Sequence, residues 1–165
     1  MAIIAREPES KYTPCPEGLH PAVCCDVIDL GLIEGQYGQK HKVKIRFDVR
    51  PEDGESYQMT KWYTLSLSEK ANLRKDLETW RGRKFTAVEL GGFDLEKLLG
   101  VNAQVQVVHA PGDDGKVYAR VLSIIPASRH TPKLRIADDY VREQDRLAGF
   151  ERFTDEKVDD EPIPF

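Results

Sequence analysis

The stretch KHKVKIRFDV, residues 40–49, alternates without a miss: Lys40, Lys42, Lys44 and Arg46 fall on one side of an extended chain, and His41, Val43, Ile45, Phe47 and Val49 on the other. Side chains of a strand point to opposite faces in turn. The stretch therefore reads as a strand with one buried side and one strongly basic side. Its four cations stand about 7 Å apart, near the spacing of phosphates along an extended nucleic-acid strand. Upstream, AVCCDVIDLG (22–31) is a second β-rich run, and LIEGQYGQ between the two reads as a glycine-containing hairpin loop that presents Tyr37.

Downstream, PEDGE (51–55) is a turn and SYQMTKWYTLSL (56–67) a third strand. With Leu65 and Leu67 on the core side, Tyr57, Met59, Lys61 and Tyr63 share that face, and Trp62 falls on the opposite face with Gln58, Thr60 and Thr64. Lys61 fits that core phase poorly. Ser66 and Glu69 read as a capping box for a helix over 68–80, with Leu73, Leu77 and Trp80 on one stripe and Gly82 as its stop. DLEKLLG (94–100) suggests a short second helix capped by Asp94 and stopped by Gly100. VNAQVQVVHA (101–110) is a fourth strand with Val101, Ala103, Val105 and Val107 inward, PGDDG a turn, and KVYARVLSII (116–125) a fifth strand.

Three strands, a helix and two strands is the element order of the OB-fold, a five-stranded Greek-key barrel that takes ligands across its second and third strands and the loops around them. The expected organisation is an irregular arm over 1–20, the barrel over 21–127, and a mobile linker and acidic tail over 128–165, with a short helix around 137–148. At 165 residues the chain is long enough for one such core. The formal net charge of −4 advertises no polyanion partner, but the acid is concentrated late: residues 1–127 carry −1 and residues 128–165 carry −3.

Cys15, Cys24 and Cys25 form no disulfide framework and read as free thiols of a reducing cytoplasm. Together with His20 they match no standard zinc spacing, because Cys24 and Cys25 point apart on a regular strand. The chain lacks the roughly 18 apolar residues of a membrane span, and MAIIAREPES lacks the pattern of a secretory leader. No phosphate-binding glycine loop, nucleophile elbow or paired-histidine metal helix appears, and Asp113–Asp114, Asp138–Asp139 and Asp159–Asp160 sit in turns or tail. His41 and His109 fall on core faces. The expectation is a non-enzyme without cofactor or metal.

On the basic strand, aromatic interleaving weighs against a merely solvated face. Trp62 and Tyr37 would stack on bases, worth about 1–3 kcal/mol per base whatever the sequence, while Lys40, Lys42, Lys44 and Arg46 pair with phosphates. Arg74 and Lys75, with Arg81, Arg83 and Lys84 just beyond the helix, either extend this track or serve the helix dipole.

DDEPIPF, residues 159–165, resembles the acidic tip of bacterial single-stranded DNA-binding proteins, in which aspartates are followed by Ile-Pro-Phe. The resemblance covers residues 157–165 at most. It implies that Phe165 supplies a buried ring and carboxylate, Pro164 shapes the turn into a partner's pocket, Ile163 adds apolar contact, and Asp159, Asp160 and Glu161 steer toward basic rims. The partners implied are single-stranded DNA and the proteins of replication, recombination and repair. The inserted Pro162, a charged linker and a body without the family's opening residues depart from the family pattern. Such divergence is most like a phage- or mobile-element-encoded member working in the host cytoplasm, and it leaves open a homo-oligomer. A competing reading is a replication adaptor whose barrel binds protein and whose basic strand is merely solvated; a nuclease would need an acid cluster that cannot be assembled from these residues.

Overall fold

The computed structural model describes residues 13–146, together with Ile3 and Ala5. It is mostly β: an antiparallel five-stranded sheet of order β3-β2-β1-β4-β5, built from β1 (Gly18–Gly35), β2 (Gly38–Val49), β3 (Tyr57–Thr64), β4 (Asn102–Pro111) and β5 (Val117–Pro126). Helix α1 (Asn72–Arg81) and the single-turn helix α2 (Ala87–Leu90) lie between β3 and β4, followed by a 3-10 turn at Leu95–Leu98. The sheet is open, and its edge strands β3 and β5 meet where Lys61 Nζ donates to Leu122 O at 3.4 Å. Among the described residues no helix is long and apolar enough to cross a membrane.

The period-two pattern of β2 becomes the core. Val43, Ile45, Phe47 and Val49 are buried with Met59 and Tyr63 of β3 and with Ala103, Val105 and Val107 of β4. Helix α1 closes this core with Leu73, Leu77 and Trp80, the Trp80 ring meeting Phe47 edge-on at 5.4 Å and its Nε1 donating to Asn102 O. Lys61 does sit on the core face, in unbroken register opposite Ile45. Asp76 of α1 accepts from both Lys61 Nζ (2.7 Å) and the Tyr63 hydroxyl (2.6 Å), so the cation is paired at the margin of the core.

Several boundaries differ from the pattern-based ones, each for a local reason. β1 begins at Gly18 and Cys15 is buried in the core, so the body starts before residue 21. Helix α1 starts at Asn72, not 68, because Ser66 Oγ accepts from the Ser68 amide and a turn closes from Ser68 O to Ala71 N before helical bonding begins. The capping box belongs instead to α2, where Thr86 and Glu89 exchange side-chain and backbone bonds. Gly82 ends α1 in the left-handed conformation at φ 76°. Asp94 caps only a 3-10 turn, Val101 lies outside β4 and is half-exposed, and His41 is partly exposed, its Nε2 donating to Asp29.

Two bulges reset the alternation where it matters. In β4–β5 the extra residue is Leu122, which frees its carbonyl for Lys61. In β1 it is Cys25: Cys24 pairs with Phe47 on the core face, Asp26 pairs with Arg46, and Val27 returns to the core opposite Ile45. Strict alternation from Cys24 would bury Asp26 among apolar side chains. The bulge turns it to the outer, basic face of the sheet. Cys15, Cys24 and Cys25 are free and buried, and burial first of all pushes their thiols up, to about 11, 12 and 11 respectively. Among the described residues no group of His, Cys, Asp and Glu converges as a metal site.

Candidate nucleic-acid interface

The outer face of β2 and β3 carries the predicted basic and aromatic residues. Register places Lys42 opposite Thr64, Lys44 opposite Trp62 and Arg46 opposite Thr60. Trp62 stands 59% exposed, with Lys44 Nζ 5.9 Å from its ring centroid. Lys42 Nζ donates to Thr64 Oγ1 at 2.7 Å. Beyond Lys42 the sheet has lost β3, and β1 and β2 continue as a two-stranded arm reaching roughly 13 Å further to the Gln36–Tyr37 turn between Gly35 and Gly38. Gly38 takes φ 102°, a conformation that an L side chain rarely adopts. Tyr37 at that tip is 83% exposed.

Along this half of the face runs an open groove of about 480 Å³ lined by Lys40, Lys42, Trp62, Thr64, Ser66 and Lys70. Lysine ammoniums can pair with phosphate oxygens, hydroxyls can hydrogen-bond to them, and an exposed indole can stack on a base. Lys70 joins this site although no strand pattern pointed to it. The turn after β3 carries it there, and turn geometry is not visible in residue spacing.

The other half of the face is covered. The chain leaves β5, returns past the start of β4, and lies across β1 and β2 as a strap over residues 134–146. Asn102 ties down its beginning, accepting from the Leu134 amide at 2.7 Å and donating to Leu134 O at 2.9 Å. Further on, Glu143 accepts from Lys44 Nζ (3.0–3.1 Å) and Arg46 Nη2 (3.4 Å), leaving these side chains only 14% and 13% exposed. Tyr140 accepts from Arg46 Nη1 at 3.0 Å and donates to Asp26 at 2.6 Å. Arg142 forks between Asp26 and Glu96, and its Nη2 also donates to Val27 O.

Asp26 is the anchor of this strap. It is fully buried and accepts from Arg142 Nε, the Tyr140 hydroxyl and the Glu143 amide. Burial alone would push its carboxyl up, but the three hydrogen bonds and the Arg142 charge outweigh that and hold it below the ordinary 3.8. Burial, and then the bond to Asp26, push the Tyr140 hydroxyl up to about 12. The linker expected from residue 128 thus belongs to the site as far as residue 146; residues 137–142 of the expected helix are not helical, a helix begins at Glu143, and 147–148 lie outside the described residues. Sequence reasoning missed Tyr140, Arg142 and Glu143 because their partners lie about a hundred positions away. One signal was available: Asp26 interrupts the apolar run from Ala22 to Ile28, and a buried acid in such a run requires a cation from elsewhere.

The second basic cluster is not brought together with the first. Helix α1 packs on the core side of the sheet, opposite to the face that bears Lys42, Lys44 and Arg46. Arg74 is engaged by Glu78 and by Leu67 O, and Arg81 pairs with Glu89 and stacks on Phe85 and Phe93. Lys75, Arg83 and Lys84 are exposed on that other side. Asp159, Asp160, Glu161, Ile163, Pro164 and Phe165 lie outside the described residues. No model of a known protein family and no characterised protein sequence matches the chain.

Proposed function

We propose that this protein is a non-catalytic single-stranded DNA-binding protein with an OB-type barrel, serving replication, recombination and repair. The observation that carries the reading is the open groove in which Lys40, Lys42 and Lys70 flank the half-exposed Trp62, with Tyr37 beyond it on the hairpin arm. The three-strand, helix, two-strand order, the sheet order β3-β2-β1-β4-β5 and the approach of β3 to β5 at Lys61 and Leu122 support the barrel assignment. The groove lies on β2 and β3, where that fold takes its ligands. Lys40, Lys42 and Lys70 hold phosphates, Trp62 and Tyr37 stack on bases, and sequence preference is slight because every base offers a π-face.

By its resemblance to the bacterial tips, the segment Asp159–Phe165 recruits partner proteins while the groove holds DNA. The same resemblance and the divergent body support a phage or mobile-element origin. Fluorescence titration with oligo-dT over a series of salt concentrations tests the reading: binding accompanied by tryptophan quenching and steep loss of affinity with salt is expected, and absent or salt-insensitive binding rejects it. One observation favours the adaptor reading, namely that Glu143 already satisfies Lys44 and Arg46. Under that reading oligo-dT leaves the Trp62 emission unchanged.

A further inference from the structure

The carboxylate of Glu143 sits between Lys44 Nζ and Arg46 Nη2, on the outer face of the same strand that carries Lys42 in the open groove. A carboxylate held by two cations at 3.0–3.4 Å occupies the place of a phosphate oxygen pair, since Lys and Arg present the same donors to either anion. Lys42 and Lys44 are two residues apart on β2, about 7 Å, which is also one nucleotide step of an extended strand. We propose that Lys44 and Arg46 form a second phosphate subsite, continuous with the open groove, that Glu143 of the strap fills in the free protein and that single-stranded DNA takes over by lifting the strap. This rests on the DNA-binding reading above and adds its regulation.

The strap is built to exchange one set of charges for another. Its Tyr140 and Arg142 hold Asp26, and its Glu143 holds Lys44 and Arg46. When the strap lifts, Asp26 loses Arg142, but Arg46 Nη1 already stands 3.9 Å from its Oδ2 and moves onto it. The buried carboxylate is therefore never left without a cation, which keeps the open state accessible. Arg46 is then shared with Asp26, so the subsite gains chiefly Lys44. The gain is about one phosphate contact, not two. Asn102 at the other end of the strap, hydrogen-bonded to both polar groups of Leu134, acts as the hinge that keeps the lifted segment nearby. Single-stranded DNA thus meets a short site first and a longer one after displacement.

Two measurements on the full chain test this. Anisotropy titration of labelled oligo-dT compares the wild type with Glu143→Gln across a salt series. The variant should bind roughly tenfold more tightly at low salt, with the slope of log affinity against log salt unchanged once both proteins are fully opened by DNA. In the wild type, a long oligo-dT should give a slope about 0.7 steeper than an oligomer too short to pass Lys42. Hydrogen exchange, which requires no variant, follows the Glu143 amide that donates to Asp26 at 2.9 Å. Saturation with long oligo-dT should abolish its protection. If the wild type binds oligo-dT while that amide stays protected and Glu143→Gln leaves affinity unaltered, the strap is a fixed element and the proposal is overturned, with the DNA-binding reading intact. If neither protein binds oligo-dT at any salt, that reading fails and the strap proposal falls with it.

Discussion

Asp26 and Arg46 are register partners on adjacent strands, yet the close cation of Asp26 is Arg142, whose Nε stands 3.1 Å from Oδ1 while Arg46 Nη1 is 3.9 Å from Oδ2. A residue 116 positions away in the chain thus outcompetes the neighbour across the strand. It does so because Glu143 draws Arg46 and Lys44 aside and Tyr140 fills the space between.

Acid should unfasten this arrangement. The folded-state carboxyl of Asp26 lies below its ordinary value of 3.8, so the stability it contributes is present above that value and is lost as pH falls through the folded value. Asp26→Asn should cost about 2 kcal/mol at pH 7, because Arg142 retains Glu96 and Arg46 retains Glu143. Urea denaturation at pH 7 and pH 3 reads this directly: the gap between wild type and variant should shrink at the lower pH.

Trp62 contributes little to folding because its indole is more than half exposed. Trp62→Ala should therefore leave the thermal midpoint within a degree or two and weaken oligo-dT binding roughly 5- to 150-fold, as expected for one lost stacked base. An equal loss of stability and binding would place the ring in the core instead.

Under the proposed function Lys40 and Lys42 neutralise phosphates and read no base. Lys40→Ala with Lys42→Ala should reduce affinity uniformly across dT, dC and dA oligomers and flatten the salt slope by about 0.7 for each phosphate lost. The corresponding change at Lys75 and Arg83, on the α1 side of the sheet, should leave the slope unaltered.

Asn102 uses its side-chain amide as a surrogate backbone for residue 134. Asn102→Ala should remove the protection of the Leu134 amide in hydrogen exchange at a global cost of about 1–2 kcal/mol. The β4 amides should stay protected, since the ladder to β1 does not depend on that side chain.

The DNA and partner functions should separate at the far end of the chain. Removing residues 157–165 should preserve or tighten oligo-dT binding and abolish recruitment of replication and repair proteins in a co-sedimentation assay on coated DNA. Loss of DNA binding in the truncated protein would contradict the assigned division of labour.

The strands, the core face of β2, the loop placement of Tyr37, and Gly82 as the helix stop were all legible in the chain itself, whereas the face of Trp62 hung on a strand phase that Lys61 fitted poorly. Each depends on period-two alternation or on a single glycine, which are properties of neighbouring residues. Lys61 was legible only as a misfit, because its remedy, Asp76, arrives from a helix fifteen residues on. The bulge at Cys25 left no mark in the pattern, since a strand with one extra residue differs from a regular one only in what lies across from it. That bulge turns Asp26 outward, and the outward carboxylate recruits Arg142, Tyr140 and with them Glu143. Local sequence determined that β2 has a basic face; only tertiary structure decided that half of it would be occupied, because ion pairs between distant residues depend on where the backbone returns and not on how its residues are spaced.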